Sequence, residues 1–177
     1  MTSIYPVYKH TRLLLFTLLT SCLLFSCGPT SGDAAEYNDV IITEQNKVAN
    51  KGEAFYAAMD VSPEAMQKAF AEFSAQIDTS IVVTSQLGPI KEKTDFLDAA
   101  MESLRLYRSL CDNEYKEIIE ILSKPDEEIS TEETDRYHAL VSEVQDKLDP
   151  VRRELDAAQL KFAQDWNFMI DVTKTFE

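Results

Sequence analysis

Residues 130–166, STEETDRYHALVSEVQDKLDPVRRELDAAQLKFAQDW, carry the clearest helical pattern in the chain. Apolar side chains recur there at steps of three and four, the spacing of one face of an α-helix. Ser130 with Glu133 three residues later is the capping-box signal of a helix start. The pattern keeps its phase on both sides of Pro150, which predicts a kinked but continuous helix; the alternative is a break at Asp149. The apolar stripe consists of Tyr137, Val141, Val144, Leu148, Val151, Leu155, Ala158 and Phe162.

Three further helices are predicted upstream of this one. The first spans residues 34–59 with Asp33 as its N-cap. The second follows Ser62 and Pro63, an N-cap and a proline at the first helical position. The third spans residues 91–123. Because short connections between amphipathic helices favour antiparallel neighbours, we expect an all-α, up-down-up-down four-helix bundle with long third and fourth helices.

The N-terminal residues 13–27, LLLFTLLTSCLLFSC, form an apolar run that follows Lys9 and Arg12. The run is too short to span a bilayer stably, and a basic segment before such a run is typical of a secretory signal peptide. Its last four residues, Leu24-Phe25-Ser26-Cys27, resemble the lipobox of bacterial lipoproteins. The resemblance implies cleavage before Cys27, acylation of that cysteine and attachment to a membrane through the N-terminal lipid.

Two alternatives to lipidation at Cys27 are left open. Leu19-Thr20-Ser21-Cys22 is a second lipobox-like sequence, which would place the lipid on Cys22. A secreted protein without lipid is the other alternative. On the favoured interpretation, residues 1–26 are a cleaved signal peptide, residues 27–33 a lipidated tether and residues 34–177 the helical bundle domain.

The start of the mature domain carries a second resemblance. Residues 35–46, AEYNDVIITEQN, with the helices that follow, look like the opening of an uncharacterised family of bacterial helical surface lipoproteins. The resemblance implies an envelope location and a helical fold, and it supplies no catalytic residue. Gly28 stands where some Gram-negative lipoproteins have the aspartate that retains them in the inner membrane. We therefore expect the outer membrane, on either of its faces.

The mature chain is strongly acidic. Removal of Lys9 and Arg12 with the signal leaves 15 basic residues against 31 acidic ones, a net charge of −16. Such a surface repels nucleic acid, so we predict no nucleic-acid partner. Once Cys27 is lipidated, Cys111 is the last free thiol, so no disulfide can form and stability must come from packing.

The inventory of reactive groups argues against an enzyme. His138 is the only histidine outside the predicted signal peptide, whereas a ferritin-like di-iron site needs two Glu-x-x-His helices. Cys111 lies on the apolar stripe of the third helix and is interpreted as a small buried side chain rather than a nucleophile. The sequence has no phosphate-binding glycine motif, no haem-attachment motif and no EF-hand loop. We predict no catalytic residue, no metal and no cofactor.

A polar cluster is predicted near the membrane end of the bundle. In antiparallel register, Gln45 is expected close to Asp165 and Trp166, at the height of Lys91 and Lys93. Buried polar groups most often fix helix register, which is the favoured interpretation. A ligand pocket is the alternative.

Arg108 also interrupts an apolar stripe. It is expected level with the middle of the fourth helix, where an ion pair to Glu143 or Asp146 is the simplest interpretation.

An acidic tip is predicted at the opposite end of the bundle, in the loop before the fourth helix. Acidic residues are common at helix N-termini because they complement the helix dipole, so a solvated helix start is the favoured interpretation. A docking site for a basic partner or a divalent cation is the alternative. The tip consists of Asp126, Glu127, Glu128, Glu132, Glu133 and Asp135.

These observations support three hypotheses for function. The first is a lipid-anchored, non-enzymatic envelope protein that presents a helical binding or structural surface. The second is a periplasm-facing accessory lipoprotein that docks on an envelope assembly or transport complex. A metal-binding or enzymatic bundle is the third, and the shortage of ligands and nucleophiles ranks it last.

Overall fold

The computed structural model describes residues 28–170, and the regular structure of that part of the chain is helical. The helices form a bundle, which confirms the all-α fold class. The predicted signal peptide, both candidate lipid attachment sites, Cys22 and Cys27, and the residues after 170 lie outside the described part. None of the described helices is both long and apolar enough to cross a membrane. The helices are α1 (Ser31–Met59), α2 (Pro63–Ser85), α3 (Asp95–Asp112), α4 (Glu114–Leu122) and α5 (Thr131–Trp166), with a short 3-10 turn at Asp126–Glu128.

Helix α1 begins earlier than predicted. Its N-cap is Thr30, not Asp33, and Asp33 instead occupies the third helical position of a capping box. The Thr30 hydroxyl accepts a hydrogen bond from the Asp33 amide at 3.3 Å, and the Asp33 carboxylate accepts one from the Thr30 amide at 2.6 Å. Two of the otherwise unpaired amides of the first turn are satisfied in this way. The helix therefore takes in Ser31, Gly32 and Asp33, and the segment that leads into it is shorter than the predicted tether, residues 27–33.

Two predicted helix starts are confirmed. Ser62 caps α2 and Pro63 is its first residue, and Ser130 with Glu133 forms the capping box of α5. Helix α5 runs without a break through Pro150, as the unbroken phase of its apolar stripe predicts.

The predicted third helix is wrong in its start and its continuity. It begins at Asp95, after a turn in which Lys91 and Glu92 have positive φ angles of 48° and 62°. It is also interrupted at Asn113, where φ is −121° and ψ is −90°. The Asn113 side-chain amide donates to the Ser109 carbonyl oxygen at 2.7 Å. Asparagine side chains that bond to the backbone in this way compete with regular helix geometry.

The core consists of two apolar clusters with polar side chains at their boundary. One cluster contains Val48, Phe55, Phe73, Leu104 and Tyr115, and the other is built around Ile41, Phe96, Phe162 and Trp166. Buried polar groups must find partners inside the protein, so this boundary restricts how the helices can slide past one another. The buried polar residues between the two clusters are Glu44, Gln45, Ser80 and Ser103, whereas Asn38 and Gln159 lie beside members of the second cluster on α1 and α5.

The helices differ in how closely they pack. Helix α1 lies against α2, where Glu44 accepts a hydrogen bond from the Ser80 hydroxyl at 2.8 Å. Helix α1 meets α5 near its own beginning, where the Gln159 amide donates to the Asn38 side-chain oxygen at 2.9 Å. Farther along α1 this second contact gives way to an open cleft.

Candidate functional site

An aromatic cleft of about 370 Å³ lies between α1 and α5. Its volume falls within the range of small-molecule sites, roughly 300–1,000 Å³. Helices α2 and α3 supply most of its floor, with Phe73 and Tyr107, and Tyr115 of α4 completes it. Because its lining comes from five helices, the shape of the cleft depends on the packing of the whole bundle. The residues used below are Gly52, Glu53, Tyr56, Phe73, Tyr107, Tyr115, Arg152 and Asp156.

The floor of the cleft is a set of aromatic rings held edge to face. Phe73 and Tyr115 are each only 1% exposed, and their ring centroids are 6.0 Å apart. Tyr107 makes a similar contact with Phe73, also at 6.0 Å. Edge-to-face pairs of this kind fix the ring orientations. The floor is therefore a preformed aromatic surface.

Two phenols at the wall of the cleft share a hydrogen bond. The Tyr56 and Tyr115 hydroxyls contact each other, and Tyr56 is 45% exposed while Tyr115 is buried. Burial raises the pKa of both phenols above its usual value. Both side chains therefore stay neutral at physiological pH and present hydrogen-bonding groups without charge.

Gly52 allows the floor to approach α1 closely. A Cβ atom at this position would lie 3.3 Å from Cε2 of Phe73, which is tighter than ordinary van der Waals contact. The absence of a side chain therefore lets the Phe73 ring pack directly against the α1 backbone. Gly52 is therefore a point of close approach between α1 and α2.

The rim of the cleft carries charges of both signs that form no ion pair with the described residues. Arg152 donates from Nη2 to the Tyr107 hydroxyl at 3.2 Å, and it has no carboxylate within salt-bridge distance among residues 28–170. Glu53 and Asp156, both exposed, make neither an ion pair nor a side-chain hydrogen bond with any described residue. The cleft thus combines a neutral aromatic floor with one available guanidinium and two available carboxylates.

Sequence reasoning missed this cleft. Tyr56, Tyr107 and Arg152 lie off the apolar stripes, and nothing in their spacing joins them. The one available signal was the interruption of the first stripe by Gly52, which marks a close approach but not what approaches.

The predicted polar cluster is divided into two groups by the structure. Asp165 accepts hydrogen bonds from Lys93 at 2.7 Å and Lys161 at 2.9 Å. The Lys91 ammonium lies 4.5 Å from the ring centroid of Trp166, a cation–π contact. Both lysines expected beside Asp165 and Trp166 are therefore found there.

Gln45 belongs to a different contact, which corrects the expectation of a single cluster. Its side-chain amide donates to the Ala100 carbonyl oxygen at 3.0 Å, and its side-chain oxygen accepts from the Ser103 hydroxyl at 3.1 Å. Both partners of this buried side chain lie on α3, beyond the 86–94 turn that holds Lys91 and Lys93. This contact joins α1 to α3 and is suited to fixing their register.

Asp165→Leu is expected to keep or raise the melting temperature at neutral pH, because exposed ion pairs add little stability. Hydrogen bonds from Lys93 and Lys161 lower the pKa of Asp165. A lowered pKa means that its ion pairs stabilise the fold above the ordinary aspartate range and are lost as the pH falls through the lowered value. The melting temperature of Asp165→Leu should therefore rise relative to that of the wild type as the pH is lowered from about 7 to about 3. Asp149→Leu, on the same helix at an exposed position without an ion pair among the described residues, is the control. An unchanged difference across that pH range would contradict the role of the lysines.

The predicted partners of Arg108 are wrong. Arg108 pairs with Asp112 at 3.1 Å and Asp78 at 3.5 Å and donates to the Ser74 hydroxyl. Glu143, the expected partner, pairs instead with Arg136 at 3.0 Å. The reason is that the face of α3 that carries Arg108 packs beside α2 rather than α5.

The acidic tip is an exposed surface with one of its carboxylates engaged. Glu133 holds the capping box of α5 and contacts Lys124, which together lower its pKa to about 2. Asp126, Glu127 and Glu128 form the exposed 3-10 turn, and Glu132 and Asp135 are exposed on the first turns of α5. The arrangement of Glu133 agrees with the interpretation as a helix start.

Cys111 and His138 are not part of a catalytic or metal-binding arrangement among the described residues. Cys111 is buried, and burial raises the pKa of its thiol to about 12, so it stays protonated. His138 is exposed, with its ring 5.3 Å from that of Tyr137. Within residues 28–170, no three side chains of the metal-binding types converge on one point.

No known protein family, curated protein or solved structure matches this chain.

Proposed function

We propose that this chain is a lipid-anchored, non-enzymatic protein of the bacterial outer membrane whose helical bundle presents a binding surface. The binding part of the proposal rests on one observation, the aromatic cleft between α1 and α5 with charges at its rim that no residue of 28–170 pairs. The anchoring part rests on the apolar run before Cys27 and on its lipobox-like ending.

The bundle that carries the cleft is proposed to have up-down-up-down topology. Contacts between α1 and α2 support opposite directions, because Glu44 meets Ser80 whereas Lys51, later in the chain, meets the earlier Glu72. Contacts between α3 and α5 follow the same rule: Phe96 meets Phe162, and Tyr107 meets the earlier Arg152. Such pairs are those expected of sequential helices joined by short loops.

The anchored end of the bundle is proposed to be the end that holds the 86–94 turn. A Cβ atom on Gly28 would lie 3.7 Å from Cε of Lys91, so the residue after the proposed lipidated cysteine sits beside this turn. Gly52 then lies about 30 Å along α1 from that end, at 1.5 Å per residue. At this distance the cleft would stand clear of the lipid head groups and open to solutes.

Cys27→Ala is expected to abolish fatty-acid labelling and to release the protein from membranes, because the acyl chains that hold it are attached to this residue. Cells grown with an alkyne fatty acid, followed by click detection and membrane fractionation, measure both effects. Cys22→Ala is the matched control and should be labelled and retained like the wild type. If only Cys22→Ala loses the label, the lipid is attached to Cys22 instead of Cys27. A wild-type protein without label would contradict the proposed lipid anchor.

The membrane face is decided by protease treatment of intact cells. A bundle displayed outside is cut in intact cells, whereas a periplasm-facing accessory protein is cut only after the outer membrane is opened. A periplasmic reference protein measured in the same samples reports whether the membrane stayed closed.

A further inference from the structure

We propose that the aromatic cleft binds a free α-amino acid with an aromatic or large apolar side chain, held as a zwitterion. This inference deepens the proposed binding function and names its ligand class. It does not depend on the lipid anchor, since the cleft is formed wholly by residues of the helical domain.

The floor selects for an apolar or aromatic body. Tyr56, 45% exposed, and the half-buried Tyr107 present ring surface, and edge-to-face contacts with the buried Tyr115 and Phe73 rings fix their orientation. A flat or branched apolar side chain that covers these rings removes their exposed carbon from water. Because the rings are held in place before binding, little conformational freedom is lost when the ligand enters.

Arg152 is the group for the ligand carboxylate. Its guanidinium has five N–H donors in a planar fork, and the one protein partner described for it is the neutral Tyr107 hydroxyl. That hydrogen bond orients the side chain without neutralising its charge. The remaining donors match the two oxygens of a carboxylate.

Glu53 and Asp156 are the groups for the ligand ammonium. They approach the cleft from opposite helices, and neither is compensated by a cation of the described chain. Asp156 lies one helical turn after Arg152, about 6 Å away between Cβ atoms. An α-amino acid carries its own two charges at a comparably short separation, whereas the ends of a peptide are farther apart.

The same charges disfavour the simpler ligands. An organic cation would lie beside the like charge of Arg152, and an organic anion would lie beside the like charges of the two carboxylates. A phosphate ester would bring more negative charge than one guanidinium compensates. A ligand with one charge of each sign satisfies all three side chains.

The test is calorimetric titration of the full-length protein with four probes. L-Phenylalanine has the body and both charges, 3-phenylpropionate lacks the ammonium, 2-phenylethylamine lacks the carboxylate and glycine lacks the body. Phenylalanine is expected to bind at least about tenfold more tightly than each of the other three, the usual effect of losing a charged hydrogen bond or the apolar contact. Equal binding of phenylalanine and 3-phenylpropionate, or no heat with phenylalanine up to about 10 mM, a concentration at which even millimolar binding would be seen, overturns the proposal.

Two variants assign the charges. Arg152→Gln should weaken the binding of phenylalanine about tenfold and leave the binding of 2-phenylethylamine no weaker, since that probe has no carboxylate to lose. The double variant Glu53→Gln, Asp156→Asn should weaken the binding of phenylalanine and leave the binding of 3-phenylpropionate no weaker. Arg153→Gln, an exposed neighbour outside the cleft, is the matched control and should bind as the wild type does. If Arg153→Gln weakens the binding of phenylalanine as much as Arg152→Gln does, the binding proposal fails. The proposed membrane attachment is measured separately and does not depend on this result.

Discussion

Replacing Phe73 with alanine is expected to lower the free energy of unfolding by about 4 kcal/mol, within the range for removing a buried phenylalanine. The Phe73 ring is 1% exposed and touches the α1 backbone at Gly52 on one side and the ring of Tyr115 on the other. Neither neighbour can collapse into the space, because a backbone and a hydrogen-bonded tyrosine are both fixed. The cavity would therefore persist, and its cost adds to the lost burial.

Urea denaturation followed by circular dichroism measures this effect. Phe70→Ala is the control, because Phe70 lies on the same helix but is only partly buried at the edge of the same cluster. It should cost about half as much, in proportion to the smaller apolar area that it removes from contact. Equal losses for the two variants would show that Phe73 has no special place in the core.

Phe73→Leu separates stability from binding at the same position. Leucine keeps most of the volume, so the loss of stability should stay near 1.5 kcal/mol or below. In this variant Tyr107, which lines the cleft, loses the ring that holds it edge to face. Binding of phenylalanine should therefore fall more than the small change in stability would explain.

The parts of the fold that follow from the sequence are those set by local chemistry. Ser62 with Pro63 and Ser130 with Glu133 specify helix starts through bonds within three residues, and the structure has both. The predicted start of α1 is wrong for an equally local reason. Thr30 and Asp33 form a capping box with the same spacing as Ser130 and Glu133, so Asp33 is the third residue of the helix and not its cap.

The parts that do not follow from the sequence depend on which helices become neighbours. Arg108 faces α2 rather than α5, and Gln45 finds its partners on α3, because the lateral order of the helices decides both contacts. The interruption at Asn113 is likewise hidden, since the apolar stripe continues across it. The cleft combines these difficulties, as its walls come from segments that are far apart in the chain.

Lys147→Met is expected to lower the free energy of unfolding by about 2 kcal/mol, the second of the two largest effects on stability. Lys147 is the ion-pair partner of Glu114, whose side chain is only 9% exposed and whose second oxygen has no hydrogen-bond partner among the described residues. Removing the cation leaves a buried carboxylate uncompensated, which costs about 3–5 kcal/mol for a fully buried pair. The Lys147 side chain is 50% exposed, so water already screens the pair and the expected loss is smaller.

A double-mutant cycle distinguishes this penalty from simple loss of a contact. In Glu114→Met the lysine can return to water, so that single variant should lose less stability than Lys147→Met. The double variant Glu114→Met, Lys147→Met carries no buried charge and should be more stable than Lys147→Met alone. Lys116→Met is the control, because Lys116 and its partner Asp112 are both well exposed and the pair should contribute little. Additive losses in the cycle would mean that Glu114 is solvated in solution. A recovery in the double variant would show that the lysine is needed because the carboxylate is buried at the start of α4, directly after the interruption at Asn113.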